Sequence, residues 1–226
     1  MMNISLTPRL LAVASLVKGG GIIADIGTDH GYLPIYLVNS GKVEGAIAAD
    51  IGKMPLENAR KSVEEYNLKS KIRLRLSDGL REFNATDACE FIFAGMGGTL
   101  IAEKMAETAW VKNKNLHFIF QPQSRAEDLR RYLYSNGFEI CTELATHEGR
   151  RHYITFDAVY TGVVSEFTEA DCFIGKLPHN EDSHKHLSQQ LARLQKKYDA
   201  LKGLNKDEDT EQLFNTITEI QRFLND

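Results

Sequence analysis

The stretch ADIGTDHGYLP, residues 24–34, contains the densest chemical signal in the chain. The apolar run that begins at residue 22 ends at Asp25, as a short buried strand would. Gly27 then permits a tight turn and a close backbone approach to a ligand. Gly31 follows four residues later, where a helical pattern begins. Residues 22–34 therefore predict the strand, turn and helix start of a cofactor-binding α/β unit.

The spacing of this turn is not that of the dinucleotide fingerprint G-x-G-x-x-G. Two acids, Asp25 and Asp29, flank Gly27 and would repel a pyrophosphate. A cofactor with an amino group and a sulfonium centre tolerates or prefers carboxylates. The charges therefore favour S-adenosylmethionine over a nicotinamide cofactor.

Acids also follow the next two predicted strands. Asp50 ends the second strand, where an acid can accept hydrogen bonds from ribose hydroxyls. The sequence Ser77-Asp78-Gly79 ends the third, where a short acid can meet an adenine amino group. Acids at strand ends are common as helix caps. Three in register at one edge of a sheet nevertheless predict a site shaped for adenosine.

The fourth strand ends in the glycine-rich turn Gly95-Met96-Gly97-Gly98. Many methyltransferases that act on base amino groups have an Asn- or Asp-Pro-Pro-aromatic motif here, which this chain lacks. The turn instead offers backbone groups and room for a flat ligand. A structural turn would explain one of these glycines but hardly all three.

Short apolar runs alternate with helical patterns from residue 21 to about 160, which predicts a mostly parallel sheet with helices on both faces. The predicted strands are 22–26, 46–50, 72–77, 91–94, 116–121, 138–144 and 153–160. The predicted helices are 32–39, 53–67, 99–108 and 126–136. Only 147–151 separate the last two strands, too few for a crossover helix, so these strands should form an antiparallel hairpin at the sheet edge. We identify this α/β plan of seven strands as the class I methyltransferase, Rossmann-like fold.

The pattern changes after residue 162, so we divide the chain into a cofactor-binding domain (1–162) and a C-terminal region (163–226). Residues 163–182 lack periodicity and are interpreted as a linker. Two apolar stripes follow, separated by a polar break at 203–210. The stripes consist of Leu187, Leu191, Leu194, Tyr198 and Leu201, then Leu213, Ile217, Ile220 and Leu224. They favour an antiparallel, coiled-coil-like helical hairpin, although both could simply pack on the main domain.

This C-terminal region is electrically asymmetric. Residues 183–202 contain five basic residues against one acid, whereas 203–226 contain two, Lys206 and Arg222, against six acids. A charged helix face is often only solvated. The alternative is a basic arm that contacts phosphates, within a chain whose net charge of −4 creates no overall basic field.

Composition limits the class of protein. With 42% hydrophobic and 26% charged residues, the chain resembles an ordinary globular protein. Three widely spaced cysteines favour reduced thiols in a cytoplasmic protein and provide no metal framework. The apolar run 10–17 could be mistaken for a signal peptide, but Thr7-Pro8 predicts a helix start with a capping hydroxyl. No stretch approaches the roughly 20 apolar residues of a membrane span.

The motifs ADIGTDHGYLP, SDGL, FAGMGGTLI and FQPQ…LRRYLYSNGF together resemble the bacterial TrmK family over essentially the whole chain. The resemblance implies methyl transfer from S-adenosylmethionine to N1 of adenosine 22 in tRNA. It implies cofactor contacts at Asp25, Gly27, Thr28, His30, Gly31, Asp50, Ile51, Ser77, Asp78, Gly79, Gly95 and Met96. It also implies that a basic helix contacts tRNA, through Lys185, Arg193, Lys196 and Lys197.

Asp29 is the expected catalytic residue, because methylation makes the adenine ring cationic and a carboxylate stabilises that charge. It could instead hold the cofactor amine or cap the next helix. Tyr32, Gly97 and Gln121 are expected to contact the substrate, and Arg9 either reaches a substrate phosphate or forms a surface salt bridge. A methyltransferase for small molecules or proteins, with the hairpin as a dimerisation element, is the alternative. We take a monomer without metal as the working expectation.

Overall fold

The computed structural model describes residues 4–202 and 207–226 and contains a seven-stranded sheet of order β3-β2-β1-β4-β5-β7-β6. The strands are β1 (Gly20–Ile26), β2 (Val43–Asp50), β3 (Ile72–Leu76), β4 (Glu90–Ala94), β5 (His117–Gln121), β6 (Phe138–Glu148) and β7 (Arg151–Tyr160). The first five pair in parallel, and β7 lies antiparallel between β5 and β6. The predicted fold class and its antiparallel edge hairpin are confirmed.

The predicted helices are also present. The helices are α1 (Pro8–Leu16), α2 (Tyr32–Asn39), α3 (Lys53–Glu65), α4 (Gly98–Ala106), α5 (Ala126–Ser135), α6 (Glu169–Ile174), α7 (Glu181–Lys202) and α8 (Asp207–Asn225). A 3-10 turn, Ala109–Val111, precedes β5. Helix α3 ends earlier than predicted because Asn67 adopts a left-handed conformation with φ of 57°, a conformation that asparagine tolerates.

Both faces of the sheet are buried, as expected for parallel strands. Side chains alternate along each strand, so Phe91 and Phe118 point to one face while Ile92 and Ile119 point to the other. The phenylalanine face packs against α4, α5 and the C-terminal helices, and the isoleucine face packs against α1, α2 and α3. The ligand-binding edge of such a sheet is the one at which its parallel strands end.

The apolar stripes of the C-terminal helices pack both against each other and against the main domain. Helices α7 and α8 pack against each other, as the predicted hairpin requires. Leu187 and Ile220 are also fully buried in the same core cluster as Phe118 of the sheet. The first part of the predicted polar break, 203–206 with Lys206, lies outside the described residues, and helix α8 begins at Asp207.

The segment predicted as a linker contains a helix. Helix α6 begins with a capping box in which the Thr168 hydroxyl accepts the Asp171 N–H and the Asp171 carboxylate accepts the Thr168 N–H. Its buried residues include Cys172 and Phe173. A helix of six residues is too short to show helical periodicity, although the capping residues are a readable signal of a helix start.

A buried ion pair holds the residues after α6 against the sheet. Arg130 on α5 donates to Glu143 on β6 and to the Cys172 carbonyl oxygen, 2.7 Å away. The second Glu143 oxygen accepts the Lys176 N–H. Gly175 lies between the end of α6 and Lys176. Its φ is +60°, and a Cβ there would overlap the Glu143 carboxylate. These contacts determine where the chain enters α7.

Helix α1 begins at Pro8, as predicted, but the Thr7 hydroxyl does not cap it. The Glu148 carboxylate, at the end of β6, accepts the Arg9 N–H at 2.8 Å instead. Helix α1 thereby lies against the antiparallel edge of the sheet. Across the described ranges, no helix combines the length and apolar character needed to cross a membrane.

A second buried charge cluster lies at the opposite end of the sheet from the ligand-binding edge. The two ring nitrogens of His117 lie 2.7 Å from Glu90 and 2.7 Å from Asp157. Burial by itself lowers the pKa of His117, but the hydrogen bonds to Asp157 and Glu90 outweigh it, so this pKa lies above its usual value. The imidazolium therefore links strands β4, β5 and β7.

We expect His117→Gln to lower the free energy of unfolding by about 3 kcal/mol near pH 6, because two buried carboxylates lose their cation. In the wild type, this stabilisation is complete below the unfolded histidine pKa of about 6.5 and is lost as pH rises through the higher folded pKa. Urea unfolding from pH 6 to 9 measures the loss. The exposed His179→Gln change is the control, and equal pH slopes in wild type and His117→Gln would contradict the assignment.

Candidate active site

A cavity of about 280 Å³ opens at the carboxyl ends of β1 and β4. The cavity is lined by Thr7, Arg9, Leu10, Asp25, Gly27, Thr28, Asp29, His30, Gly31, Tyr32, Leu33 and Ala94. All seven predicted site residues of the ADIGTDHGYLP stretch therefore line one cavity. Thr7, Leu10, Leu33 and Ala94 were not predicted, because apolar and small side chains at such positions are typical of any buried helix or strand end.

The Gly27 turn forms the floor of this cavity. Gly27 has φ of +82°, a conformation that side chains rarely adopt. The N–H groups of Gly27 and Thr28 both donate to the Ala49 carbonyl oxygen at 2.8 Å, which fastens the turn to β2. A Cβ on Gly27 would lie 3.2 Å from Met96 Sδ, so Met96 covers the turn from the β4 side.

Asp25 is the buried acid of the site, with 5% of its surface exposed. Burial raises its pKa to about 6, the Thr28 hydroxyl opposes the rise by hydrogen bonding, and the negative charge of Asp50 adds to it. Near neutral pH the carboxylate is therefore ionised only at an energetic cost. A ligand group that donates a hydrogen bond or carries positive charge would relieve that cost.

Asp50 ends β2 beside Asp25, and its carboxylate has a structural role as well. Its Oδ1 accepts the Gly52 N–H at 2.7 Å, which shapes the turn into α3. Burial, followed by the repulsion of Asp29, raises its pKa despite this hydrogen bond. Next to it, Ile51 exposes 69% of its surface, an apolar side chain at the ligand-binding edge.

Asp29 lies at the cavity mouth, with 71% of its side chain exposed. Its carboxylate is 3.5 Å from His30 Nε2, and the His30 ring stacks on Tyr32 with 5.2 Å between centroids. Helix α2 begins after its N-cap Gly31 with no side-chain cap hydrogen bond, so the structure shows no capping contact from Asp29. The side chain is free to face a ligand.

The side chains of the loop after β3 have more partners within the protein than predicted. Asp78 forms an ion pair with Lys104 of α4, with 3.0 Å between Oδ1 and Nζ. The Ser77 hydroxyl donates to the Gly79 carbonyl oxygen, and a Cβ on Gly79 would lie 2.7 Å from Lys104 Cδ. Contact between Asp78 and an adenine amino group stays a prediction, and it would share the carboxylate with Lys104.

Two of the glycines after β4 have structural causes, contrary to the expectation from sequence. Gly95 has φ of +90°, and a Cβ on Gly98 would overlap the Arg125 carbonyl oxygen of the β5–α5 loop. That loop is joined to the turn through the Gly98 N–H, which donates to the Ser124 oxygen at 2.7 Å. Only Gly97, at φ of −70°, has neither constraint.

Arg9 and Gln121, both predicted to contact the substrate, form a hydrogen bond with each other. Arg9 lies inside the cavity rather than in a surface salt bridge, and its Nη1 donates to Gln121 Oε1 at 2.6 Å. Gln121 is fully buried, and its Nε2 donates to the Pro122 carbonyl oxygen. In this structure Gln121 therefore supports Arg9, and contact between Gln121 and a substrate stays a prediction.

The predicted basic residues lie on α7 and do not line this cavity. Lys185 pairs with Glu181 on the same helix, and Arg193 Nη2 lies 2.9 Å from Glu127 Oε1 on α5. Lys196 and Lys197 are exposed. No cluster of histidine, cysteine and acidic side chains suited to a metal ion occurs within 4–202 and 207–226.

The two adjacent glycines of the β4 turn provide a matched test. We expect Gly98→Ala to lower the free energy of unfolding by about 2 kcal/mol or more, because the new methyl group overlaps a backbone oxygen that cannot move freely. Gly97→Ala is the control, since its Cβ would lie 3.4 Å from Ser124 Oγ, an ordinary contact. Thermal and urea unfolding measure both variants. Similar losses in the two would contradict the close-approach explanation.

Comparison with known proteins agrees with the site. Residues 6–156 match a family described as a methyltransferase domain. The tRNA (adenine(22)-N(1))-methyltransferase of Bacillus subtilis is 31% identical over 219 residues, which cover 94% of this chain and 91% of that protein. The likeness therefore extends beyond the sheet into the C-terminal helices.

Solved structures extend the likeness to three dimensions. The B. subtilis m1A22 tRNA methyltransferase TrmK superposes with a TM-score of 0.82 at 28% identity, covering 99% of this chain and 98% of that one. A Streptococcus pneumoniae protein solved in complex with S-adenosyl-L-methionine gives a TM-score of 0.76 at 34% identity, covering 96% and 98%. With its methyltransferase domain and a similarity that extends over nearly its full length, the chain belongs to the TrmK family of tRNA methyltransferases.

Proposed function

We propose that this protein transfers a methyl group from S-adenosylmethionine to N1 of adenosine 22 in tRNA. The observation that supports this most is the set of carboxylates around the Gly27 turn. The negative charge of Asp50 raises the pKa of Asp25, and the negative charge of Asp29 raises the pKa of Asp50. Such a concentration of negative charge suits a cationic cofactor and a product ring that becomes cationic.

The residues present fit S-adenosylmethionine. Gly27 leaves the floor of the cavity open, and buried Asp25 gains from a partner that donates hydrogen bonds. Asp50 retains one carboxylate oxygen beyond its bond to Gly52, which suits ribose hydroxyls. When bound, this cofactor supplies an electrophilic methyl group on a sulfonium centre.

The chain's own contribution to the chemistry is orientation and charge. Adenine N1 has a free lone pair, so no general base is needed before attack. Asp29, exposed at the mouth, offers a carboxylate to the ring as positive charge develops on it. The stacked His30 and Tyr32 rings offer an aromatic surface to a base drawn out of its stack. Holding the two reactants in line provides much of the remaining acceleration.

The C-terminal hairpin serves tRNA binding better than dimerisation. Leu187 and Ile220 of its apolar stripes are fully buried within the chain and are therefore not available to a second copy. The exposed Lys196 and Lys197 suit phosphates instead. We accordingly divide the chain into a catalytic domain, 1–162, and a C-terminal tRNA-binding region, 163–226, acting as a monomer in the bacterial cytoplasm.

Methylation of unmodified tRNA tests the proposal directly. We expect label from S-adenosylmethionine to reach one adenosine, at position 22, and tRNA with guanosine there to remain unlabelled. Asp29→Asn should lower kcat at least about tenfold, because the neutral amide no longer stabilises the cationic ring. Asp226→Asn, an exposed acid at the chain end, is the control. Equal labelling of both tRNAs would contradict the site of methylation, and an unchanged kcat with weaker cofactor binding would make Asp29 a cofactor ligand only.

Cofactor binding should depend on the ionisation of Asp25. Because its pKa is raised to about 6, the ionised fraction falls about tenfold between pH 7 and pH 5. We expect the affinity for S-adenosylmethionine to fall by about the same factor and to be restored on returning to pH 7. Calorimetric titration measures it. Asp25→Asn should bind more weakly and without this pH dependence, and a dependence retained in that variant would assign the titration to another group.

A further inference from the structure

A second cavity, the α7 cleft, lies between the β5–α5 loop, β7 and α7. Its walls include Pro122 to Arg125 of the loop, His152 and Tyr153 of β7, and His186, Gln190 and Arg193 of α7. The volume is about 130 Å³, less than half that of the cofactor cavity. This volume suits part of one nucleotide better than a whole cofactor.

The cleft and the cofactor cavity have no lining residue in common, but contacts join the structures around them. The Gln123 N–H, in the loop that lines the cleft, donates to the Met96 carbonyl oxygen at 2.9 Å. On the other side, the Arg9 guanidinium lies 5.8 Å from the centre of the Tyr153 ring. Arg9 lines the cofactor cavity and Tyr153 lines the cleft. A polymer with one base in the first cavity therefore has a neighbouring nucleotide within reach of the second.

Two residues that line the cleft have polar atoms that the protein does not satisfy. Among the described residues, His152 Nδ1 and Gln190 Oε1 are buried without a hydrogen-bond partner. Such atoms are costly unless something pairs with them. His186 is held neutral, since burial, followed by Arg130, lowers its pKa to about 3. The Gln190 amide and the uncharged His186 imidazole suit the donors and acceptors of a base edge.

The rim of the cleft is basic and its cations are held in place. Glu127 Oε1 lies 2.9 Å from Arg193 Nη2 and 3.6 Å from Arg125 Nη1. Both arginine side chains are more than half exposed. A guanidinium has five N–H donors, so each retains several for an incoming phosphate.

We propose that the α7 cleft is a subsite for the nucleotide next to the methylated adenosine, with its base at His152 and Gln190 and its phosphate at Arg125 and Arg193. This proposal rests on the proposed function, because it takes tRNA as the ligand. The cleft contributes to binding and alignment of the RNA and does not touch the transferred methyl group. It also connects the catalytic cavity with the basic face of α7 that ends at Lys197.

Gln190→Met separates this role from a structural one. Removing an unpaired buried polar atom without changing the side-chain length leaves stability unchanged or raises it. The KM for tRNA should nevertheless rise about fivefold, the effect of losing one hydrogen bond, while the affinity for S-adenosylmethionine stays the same. Gln189→Met, on the exposed face one residue earlier, is the matched control. His152→Phe should repeat the effect from the opposite wall.

A tRNA with an abasic nucleotide immediately before or after the target adenosine completes the test. One of the two should raise the wild-type KM about fivefold and have little further effect on Gln190→Met, because the same contact is already lost. An unchanged KM in Gln190→Met, or fully additive effects with both abasic tRNAs, would overturn the subsite. Failure of the wild type to methylate tRNA would instead overturn the proposed function, so the two failures are distinguishable.

Discussion

The buried ion pair between Arg130 and Glu143 is the interaction on which the arrangement of the two parts of the chain depends. Both side chains are almost completely removed from solvent, and breaking such a pair leaves a buried charge without compensation. The pair also takes up the carbonyl oxygens at the end of α6 and the Lys176 N–H. It thereby places the start of α7 beside the sheet and creates the wall of the α7 cleft.

At the catalytic edge, close backbone approaches fix the arrangement of the loops. Gly98 allows the β4 turn to touch the β5–α5 loop, and Gly27 allows Met96 to lie over the β1 turn. A Cβ on Gly98 would overlap the Arg125 carbonyl oxygen, and one on Gly27 would crowd the Met96 Sδ at 3.2 Å, so each glycine couples two loops that are distant in sequence. Because the same β5–α5 loop also lines the cleft, the cofactor cavity and the cleft are built from one connected set of turns.

The carboxylates of the site have graded environments, which gives them different uses. Burial raises the pKa of Asp25 and so disfavours its ionisation. Asp50 is half-buried and accepts a hydrogen bond from the backbone of its own turn, whereas Asp29 is exposed. Asp78, the fourth acid of the edge, is already neutralised by Lys104. Negative charge that is free to meet a cationic ligand is therefore concentrated at β1 and β2.

Local chemistry made the order of strands and helices, the antiparallel edge and the carboxylate-rich turn readable from the sequence alone. Apolar periodicity and turn residues act over a few positions, and acids at the ends of parallel strands must converge at one edge. The engagement of Gln121 by Arg9, the pairing of Asp78 with Lys104 and the close approach at Gly98 were decided only by the tertiary structure. Each joins residues from different elements, and no local pattern records which distant group a side chain will meet. The ADIGTDHGYLP turn depends on both local sequence and tertiary structure. Its residues predicted the cofactor, and its neighbours in the folded protein determine how each acid is held.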